Sequence, residues 1–543
     1  MGNYVPFLKR GDSSEPLESN TPHNPKPKKR KLNEFKLDDS EFTESVNIIL
    51  NYSQNSETTR HDSEFNNIFS KTPKKFQRIQ PDLIKPELIR PCRKKMKSTS
   101  CYIYKTLFIN GENSDIIVRA LNKDWQLHKL YLCQSPYFDS MFKGSKWKES
   151  NQTYIEISIP DENITERALH ISFGSFYKEE IEIMPIEVIN VLACASLFSL
   201  EGLIQQCEII MLENLNAHTV LAYYEAGNLY GVNKVSEKCL KWLCENLMIS
   251  EELKLNSISL NLFEKILNMN ELIIIQVETD LYSLCKKWLY FDLVKDFKEE
   301  ANLDSKSWQK IANEFFKNLL IDKTKCLLDY DEYKKYIGIF KKIRLQHIMT
   351  DLPSLKLLYN DRIIPVEWIE PLYSKNWLNL LFVDQDKLSS EFEVDLVDFE
   401  KEGLRFGRVL SDDQPATWRW VGFNYGVDLL VTHAARTLTI KRNTINMHSP
   451  YRGLLSNKTM LRIFYIIKLV ELDDNGNEIW SRKSELTCLD LTRSEEKLIL
   501  SVDQKVKYPI LLNLLVSAHP FQHTLFNSIQ LNEQTPSTSL NLA

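Results

Sequence analysis

Glycine is scarce in this sequence, and the motifs that depend on it are missing. Only 15 glycines occur among 543 residues. None of them forms the glycine-rich loop that cradles a phosphate or the strained turn that presents a nucleophilic serine. No pair of histidines with a nearby glutamate has the spacing of a metal-dependent hydrolase. We therefore expect no catalytic residue, no metal, no cofactor and no enzyme activity of the chain's own.

The ten cysteines are dispersed along the chain. None belongs to a Cys-x-x-Cys pair, whereas zinc sites and disulfide frameworks depend on such paired spacing. We predict reduced, mostly buried thiols in an intracellular protein. His128 and Cys133 are close in sequence, but we predict that His128 makes a buried hydrogen bond rather than activating the thiol.

Long uninterrupted apolar runs are also absent. Residues 181–200 are among the most apolar, yet they contain two glutamates, a proline and an asparagine, which is too polar for a membrane span. The first residues lack the apolar core of a signal peptide. We therefore expect no transmembrane segment. Gly2 stands where N-myristoylation would occur, but Pro6 replaces the favoured Ser or Thr, which disfavours that modification.

The length and composition predict an α+β multidomain protein. A chain that is 43% hydrophobic and 26% charged can bury several cores. Residues 1–97 are rich in Ser, Asn, Pro and charge, which predicts a disordered tail. A second disordered tail is predicted over residues 521–543.

The N-terminal tail has more basic than acidic residues, although the whole chain has a net charge of −5. A compact basic block bracketed by Pro25 and Leu32 is typical of a nuclear import signal. Its basic residues are Lys26, Lys28, Lys29, Arg30 and Lys31. A solvated basic tail and nucleic-acid binding are the alternatives, and interleaved aromatics that would favour nucleic acid are lacking. We favour import.

The stretch from Asp115 to Ser150 organises the rest of the chain. Its first residues alternate with the period of a strand, a turn follows at residues 122–124, and residues 125–128 complete a hairpin. From Lys129 onward, apolar residues recur at helical spacing, and Phe138 and Phe142 widen the apolar stripe. Part of that stripe is therefore available to a partner.

Three short motifs give this stretch a family resemblance. Ser114-Asp115, Leu127-His128-Lys129 and Ser135-Pro136-Tyr137-Phe138, followed by Met141-Phe142, resemble the signature of the BTB (POZ) domain. The sequences of residues 102–115 and 418–431 resemble those of the germ cell-less family. The resemblance extends from about residue 94 to about residue 517. It implies an α/β BTB domain over residues 98–215.

The resemblance also implies two protein interfaces. BTB domains form symmetric homodimers through their opening helix, here represented by Ile103, Tyr104, Leu107 and Phe108. BTB adaptors bind the N-terminal helices of cullin-3 through a hydrophobic-x-Glu motif, matched here by Trp147 and Glu149. The residues that we expect to face cullin-3 are Tyr137, Phe138, Met141, Phe142, Trp147 and Glu149. The alternative is a solvent loop in which Trp147 folds back on its own helix.

Residues 216–350 continue in helical periodicity and are nearly free of glycine. Two helices over residues 217–247 correspond to the pair that extends the cullin interface in related adaptors. We interpret the whole segment as an all-α, BACK-like spacer. A polar insert near residues 322–331 contains a loop.

Residues 368–520 have a different character. Seven short apolar stretches separated by turns predict an antiparallel β-sandwich or barrel-like module. No repeat of about 50 residues indicates a kelch propeller. Trp418 and Trp420 alternate with Arg419 and should point into the core. The weaker candidates for contact with a substrate are Arg419, Tyr425, Asp428 and Arg436.

Two functions remain. In the first, the chain is a substrate adaptor of a cullin-3 RING ubiquitin ligase, and catalysis consists of holding a target near a charged ubiquitin-conjugating enzyme. The resemblance implies a role in primordial germ cell formation, a receptor tyrosine kinase as the class of target, and residence at the nuclear envelope and at times the plasma membrane. In the second, the chain is a non-catalytic dimeric scaffold at the nuclear envelope or a transcriptional co-regulator.

Overall fold

The structure is a computed structural model, and most of the chain beyond the N-terminal tail is described. The described residues are 98–143, 152–294, 305–320, 322, 324–349, 352–384, 396–422, 426–443, 456, 458–493 and 495–518. Both predicted tails, residues 144–151 and Tyr425 lie outside this set.

A small three-stranded sheet lies near the start of the described chain. The first helix, α1 (Thr99–Ile103), continues as a π-helical turn, Tyr104–Ile109. Strands β1 (Ile116–Ala120) and β2 (Lys123–Leu127) form the predicted hairpin. Strand β3 (Tyr154–Glu156) pairs with β1 in parallel, so the strand order is β2-β1-β3.

Five helices complete this α/β region. They are α2 (Lys129–Leu132), α3 (Pro136–Lys143), α4 (Glu166–Gly174), α5 (Val188–Leu197) and α6 (Glu201–Glu213). The single helix predicted from Lys129 is divided in two, because Pro136 can begin a helix but has no N–H with which to continue one. Thr165 caps α4, since its hydroxyl accepts a hydrogen bond from the N–H of Ala168.

A longer helical region follows. Its α-helices are α7 (Val220–Leu229), α8 (Asn233–Asn246), α9 (Leu260–Leu267), α10 (Glu278–Leu293), α11 (Ser305–Leu319), α12 (Ile337–Lys341), α13 (Leu345–Ile348), α14 (Leu352–Asp361), α15 (Val366–Asp384) and α16 (Leu396–Glu402). One cluster of buried apolar side chains extends from Phe108 to Ile369, so the α/β region and these helices share a core. Among the described helices, none has the length and apolarity needed to cross a membrane.

The remaining elements are strands. They are β4 (Leu404–Leu410), β5 (Ala416–Gly422), β6 (Val427–Ala434), β7 (Thr437–Arg442), β8 (Met460–Leu472), β9 (Glu478–Lys483), β10 (Thr487–Thr492), β11 (Lys497–Ser501) and β12 (Ile510–Ser517). The expected start of this module at residue 368 is corrected, because α15 and α16 precede β4. Strands β9 and β10 were not anticipated, since half of their side chains are polar.

The strands form the predicted antiparallel sandwich. One sheet has the order β10-β8-β12-β4 with β9 beside β8, and the other has the order β11-β7-β6-β5. Phe406 and Leu512 of the first sheet share a core with Trp420 and Val431 of the second. The predicted α+β multidomain fold class is therefore confirmed.

Candidate protein-interaction surfaces

The three signature motifs hold the α/β region together. A carboxylate oxygen of Asp115 accepts a hydrogen bond from the backbone N–H of Lys129 at 2.8 Å. The hydroxyl of Ser135 donates to the carbonyl of Phe198 at 2.5 Å. His128 is buried, and its two ring nitrogens lie 3.1 Å from the Tyr177 hydroxyl and 2.9 Å from the carbonyl of Glu112. The predicted structural role of His128 is confirmed.

The predicted dimer helix is anchored to its own protomer by Phe108. This side chain is buried, with its ring centroid 5.0 Å from that of His170 and 5.3 Å from that of Tyr177. Its assignment to a dimer interface is therefore corrected. Ile103, Tyr104 and Leu107 are half-buried, and they remain candidates for a shared interface.

Three exposed apolar side chains lie outside the predicted interface residues. They are Tyr102, Ile109 and Leu130, and Leu130 is 81% exposed. The second half of this helix is a π-helical turn, with hydrogen bonds such as that from the N–H of Asn110 to the carbonyl of Lys105, so four-residue spacing does not follow one face along its whole length.

Helix α3 presents part of its apolar stripe to solvent. Tyr137, Met141 and Phe142 are half-buried, and burial raises the pKa of Tyr137. Phe138 is fully buried and stacks on Phe142 and Phe198 at centroid distances of 6.0 and 5.3 Å. Its assignment to direct contact with cullin-3 is corrected, because it supports the surface from beneath. Trp147 and Glu149 lie outside the described residues.

A cavity of about 510 Å³ opens beside the first turn of α3. Its apolar lining includes Pro136, Phe176, Ile181, Leu200 and Leu203. These residues come from three separate parts of the chain, so sequence spacing could not reveal the cavity. Its lining also includes Gln134, Lys178, Glu179 and Gln206, so the cavity beside α3 combines apolar and polar groups, as protein interfaces commonly do.

The β-sandwich candidates are largely occupied by internal contacts. Arg419 holds Asp428 through two nitrogens, at 2.9 Å and 2.7 Å, and Asn443 also donates to that carboxylate. Asp428 is buried, so its assignment to substrate contact is corrected, while Arg419 remains partly exposed. Trp420 is buried against Phe406, and Trp418 is half-buried in the same core, as predicted.

Arg436 organises the loops at one end of the sandwich. Its guanidinium donates to the carbonyls of Asp503 and Val506 at 2.8 and 2.9 Å and lies over the ring of Tyr508. Arg436 is half-buried, so its role as a substrate contact stays a prediction. Tyr425, Gly2 and the basic block at residues 26–31 lie outside the described residues.

Comparison with known proteins places these surfaces in a family context. Residues 104–215 match the BTB/POZ domain family. The chain is 39% identical to human germ cell-less protein-like 1 over 420 residues, which cover 77% of this chain and 80% of that protein. It is 33% identical to the Drosophila melanogaster protein germ cell-less over 478 residues, 83% of each chain. Human germ cell-less protein-like 2 is 38% identical over 428 residues, 78% of this chain and 80% of that protein.

Proposed function

Because the chain belongs to the germ cell-less family of BTB adaptor and scaffold proteins, we propose that it is a substrate adaptor of a cullin-3 RING ubiquitin ligase. The observation that supports this proposal most directly is the half-buried set Tyr137, Met141 and Phe142 on α3. This helix ends just before the hydrophobic-x-Glu motif formed by Trp147 and Glu149. A large aromatic side chain beside a carboxylate is typical of an interface hot spot with a polar rim.

The connection between the helices and the β-sandwich supports the same proposal. A guanidinium nitrogen of Arg405 in β4 lies 2.5 Å from a carboxylate oxygen of Glu278 in α10, and both side chains are almost fully buried. Gln276 and Gly407 exchange two backbone hydrogen bonds across the same boundary. An adaptor benefits from such a junction, because a target on the sandwich would be held at a fixed distance from cullin-3 and at high effective concentration.

The target and the cellular setting are also proposals. We infer that the chain recruits a membrane receptor of the tyrosine kinase class for ubiquitination during primordial germ cell formation. The basic block at residues 26–31 would direct it to the nucleus, where the nuclear envelope is the proposed location, with the plasma membrane as a second location at some cell-cycle stages.

The exposed residues Tyr102, Ile109 and Leu130 favour self-association whether or not cullin-3 binds. They therefore also support a second candidate function, a dimeric BTB scaffold without ubiquitin chemistry that binds nuclear-envelope or transcriptional partners. The two functions differ in whether α3 and the segment after it bind cullin-3.

Direct binding of the full-length protein to the N-terminal part of cullin-3 tests the adaptor proposal. The Trp147→Ala, Glu149→Ala double variant should weaken binding by about 2 kcal/mol, or roughly thirtyfold, if Trp147 is a central anchor. Leu498→Ala is a suitable control because Leu498 is an exposed apolar residue on β11, far along the chain in the sandwich. Sedimentation should show that the double variant remains a dimer. Failure of the wild-type protein to bind cullin-3 would leave the scaffold as the better account.

A further inference from the structure

Helix α15 carries apolar residues that remain exposed to solvent. Trp368 and Leu372, in its first half, pack against the main buried core. In its second half, Trp377 and Leu381 are exposed, and Leu378 is half-buried. Trp377 is 56% exposed. A helix segment that is apolar on several sides normally lies against another surface.

The neighbouring helix α14 extends this apolar surface. The hydroxyl oxygens of Tyr359 on α14 and Tyr373 on α15 lie 3.1 Å apart, so the two helices meet at this point. Leu352, seven residues before Tyr359, is exposed on α14. Tyr373, Trp377 and Leu381 follow one another at four-residue spacing, which places them on one side of α15. We call these five residues and the surface that they form the α14–α15 face.

The charged residues of the α14–α15 face are unequally distributed along it. Glu367 and Glu370 are exposed in the first turns of α15, before Tyr373, and neither forms a salt bridge within the described part of the chain. Lys356 is exposed on α14, one turn from Tyr359 on the side of Leu352. The face therefore carries two acidic groups at one end and a single basic group farther along.

We propose that the α14–α15 face binds an amphipathic helical segment of a partner protein, with apolar anchors in the middle and basic residues at one end. The basic end would lie against Glu367 and Glu370, because opposite charges fix the orientation of a docked segment. The distance from Glu367 to Leu381 along a helix is about 21 Å, which matches a partner helix of about 14 residues. Apolar residues at positions i, i+4 and i+7 of the partner would meet the exposed side chains.

This docking site is independent of the proposed cullin-3 interaction. The α14–α15 face belongs to the last two long helices, whereas the proposed cullin surface belongs to α3 and the segment that follows it. A variant of the face should therefore bind cullin-3 as well as the wild-type protein does. If only peptide binding fails, the docking proposal is wrong and the cullin-3 proposal stands. If only cullin-3 binding fails, the reverse holds.

Two synthetic amphipathic peptides of about 14 residues provide the test. They share leucines at i, i+4 and i+7 and differ only in having two lysines or two glutamates at one end. Full-length protein should bind the lysine peptide about tenfold more tightly than the glutamate peptide. Trp377→Ala should weaken lysine-peptide binding about tenfold or more, while Leu498→Ala should leave it unchanged. The Glu367→Lys, Glu370→Lys double variant should reverse the preference between the peptides.

Three results would overturn the proposal. The first is that the wild-type protein binds neither peptide, or that the Trp377→Ala variant binds each peptide with the same affinity as the wild-type protein. The second is that Trp377→Ala changes self-association in sedimentation while no peptide binds, which would identify the face as a contact between copies of this chain. The third is protection of Trp377 from a soluble fluorescence quencher in the free protein, judged by difference from Trp377→Phe, which would show that the chain itself covers the face.

Discussion

At the scale of single residues, the side chains that carry the family resemblance are mostly used inside the fold. Asp115 accepts a hydrogen bond from the first turn of α2, and Ser135 donates to the carbonyl of Phe198. Phe138 fills the space between Phe142 and Phe198. At these positions the motif residues therefore stabilise the fold itself.

Replacing Phe138 with alanine should destabilise the α/β region by about 3–5 kcal/mol, because it removes a fully buried aromatic ring and leaves a cavity. The urea midpoint of the purified protein measures this effect. Leu130→Ala, at a side chain that is 81% exposed, should change the free energy of unfolding of the monomer by no more than about 0.5 kcal/mol. Equal effects of the two substitutions would contradict the assignment of Phe138 to the core.

Individual contacts show the limit of sequence reasoning at this scale. The alternation of Trp418, Arg419 and Trp420 correctly predicted which side chains face the core. The same pattern could not show that Arg419 binds Asp428 on the adjacent strand, since that pairing depends on the register of β5 against β6. Tertiary packing decides which distant residue a charged side chain binds. Only the structure can therefore show whether such a side chain is free to bind a substrate.

At the scale of secondary-structure elements, apolar periodicity predicted most of the fold. The first hairpin, helices α7 and α8, and seven of the strands follow patterns that are strong in the sequence. Strands β9 and β10 carry too many polar residues to be recognised from apolar periodicity. They form because each pairs with β8 through backbone hydrogen bonds. Helix α15 was missed because its Trp- and Leu-rich sequence has no clear amphipathic period and because Pro371 lies within it.

The hairpin between β8 and β9 is an element with a second role, since its tip docks on α8. The indole N–H of Trp242 donates to the carbonyl of Asn475 at 3.0 Å, and the side-chain amide of Asn246 donates to the carbonyl of Gly476 at 2.9 Å. Asn477 donates to the carbonyl of Leu215. The sequence could not show that the turn contacts α8, because more than 200 residues separate the two.

Gly476→Ala should loosen this docking. Gly476 has a φ of +80°, and a Cβ at this position would lie 2.6 Å from the side-chain oxygen of Asn246. We expect a loss of about 2–4 kcal/mol from left-handed backbone strain and steric overlap together. Gly231→Ala is a matched control, because Gly231 has a φ of +73° and no atom within 4 Å of its Cβ position.

The control should lose only about 1 kcal/mol, the cost of the backbone conformation alone. Hydrogen exchange at the amides of residues 473–477 would locate the difference, with faster exchange expected in Gly476→Ala only. If both variants lost the same stability and the tip remained protected, the contact between the tip and α8 would contribute little.

At the scale of the whole molecule, the β-sandwich contacts the helical part at several places, among them an apolar cluster of Phe399 in α16 with Phe464 and Ile466 in β8. The hairpin tip meets α8, and β4 meets α10 through the buried pair Arg405 and Glu278. Burial alone would raise the pKa of Glu278, but the adjacent Arg405 lowers it, so this carboxylate stays ionised. Several separated contacts restrict rotation of the sandwich more than one contact would.

The contact at α8 also contains a pair of carboxyl groups, and this pair should make the junction sensitive to pH. Burial raises the pKa of Glu245 to about 7, and its hydrogen bond with Glu478 acts in the same direction, while Lys468 opposes the shift. Burial also raises the pKa of Glu478, but hydrogen bonds from Lys241, Glu245 and Ser481 outweigh it and hold the value at about 2. At mildly acidic pH, Glu245 therefore carries the proton and Glu478 remains ionised.

The sign of the effect follows from Glu245, because the folded protein binds its proton more tightly than the unfolded chain does. Between about pH 4.5 and pH 7, the free energy of unfolding should therefore fall as pH rises, by on the order of 2 kcal/mol. Glu478 acts oppositely, but only below about pH 4.5. Urea unfolding at pH 5 and pH 8 measures the difference in wild-type protein. Glu245→Gln, which imitates the protonated side chain, should reduce the difference sharply, and an unchanged pH dependence in this variant would assign the effect to other groups.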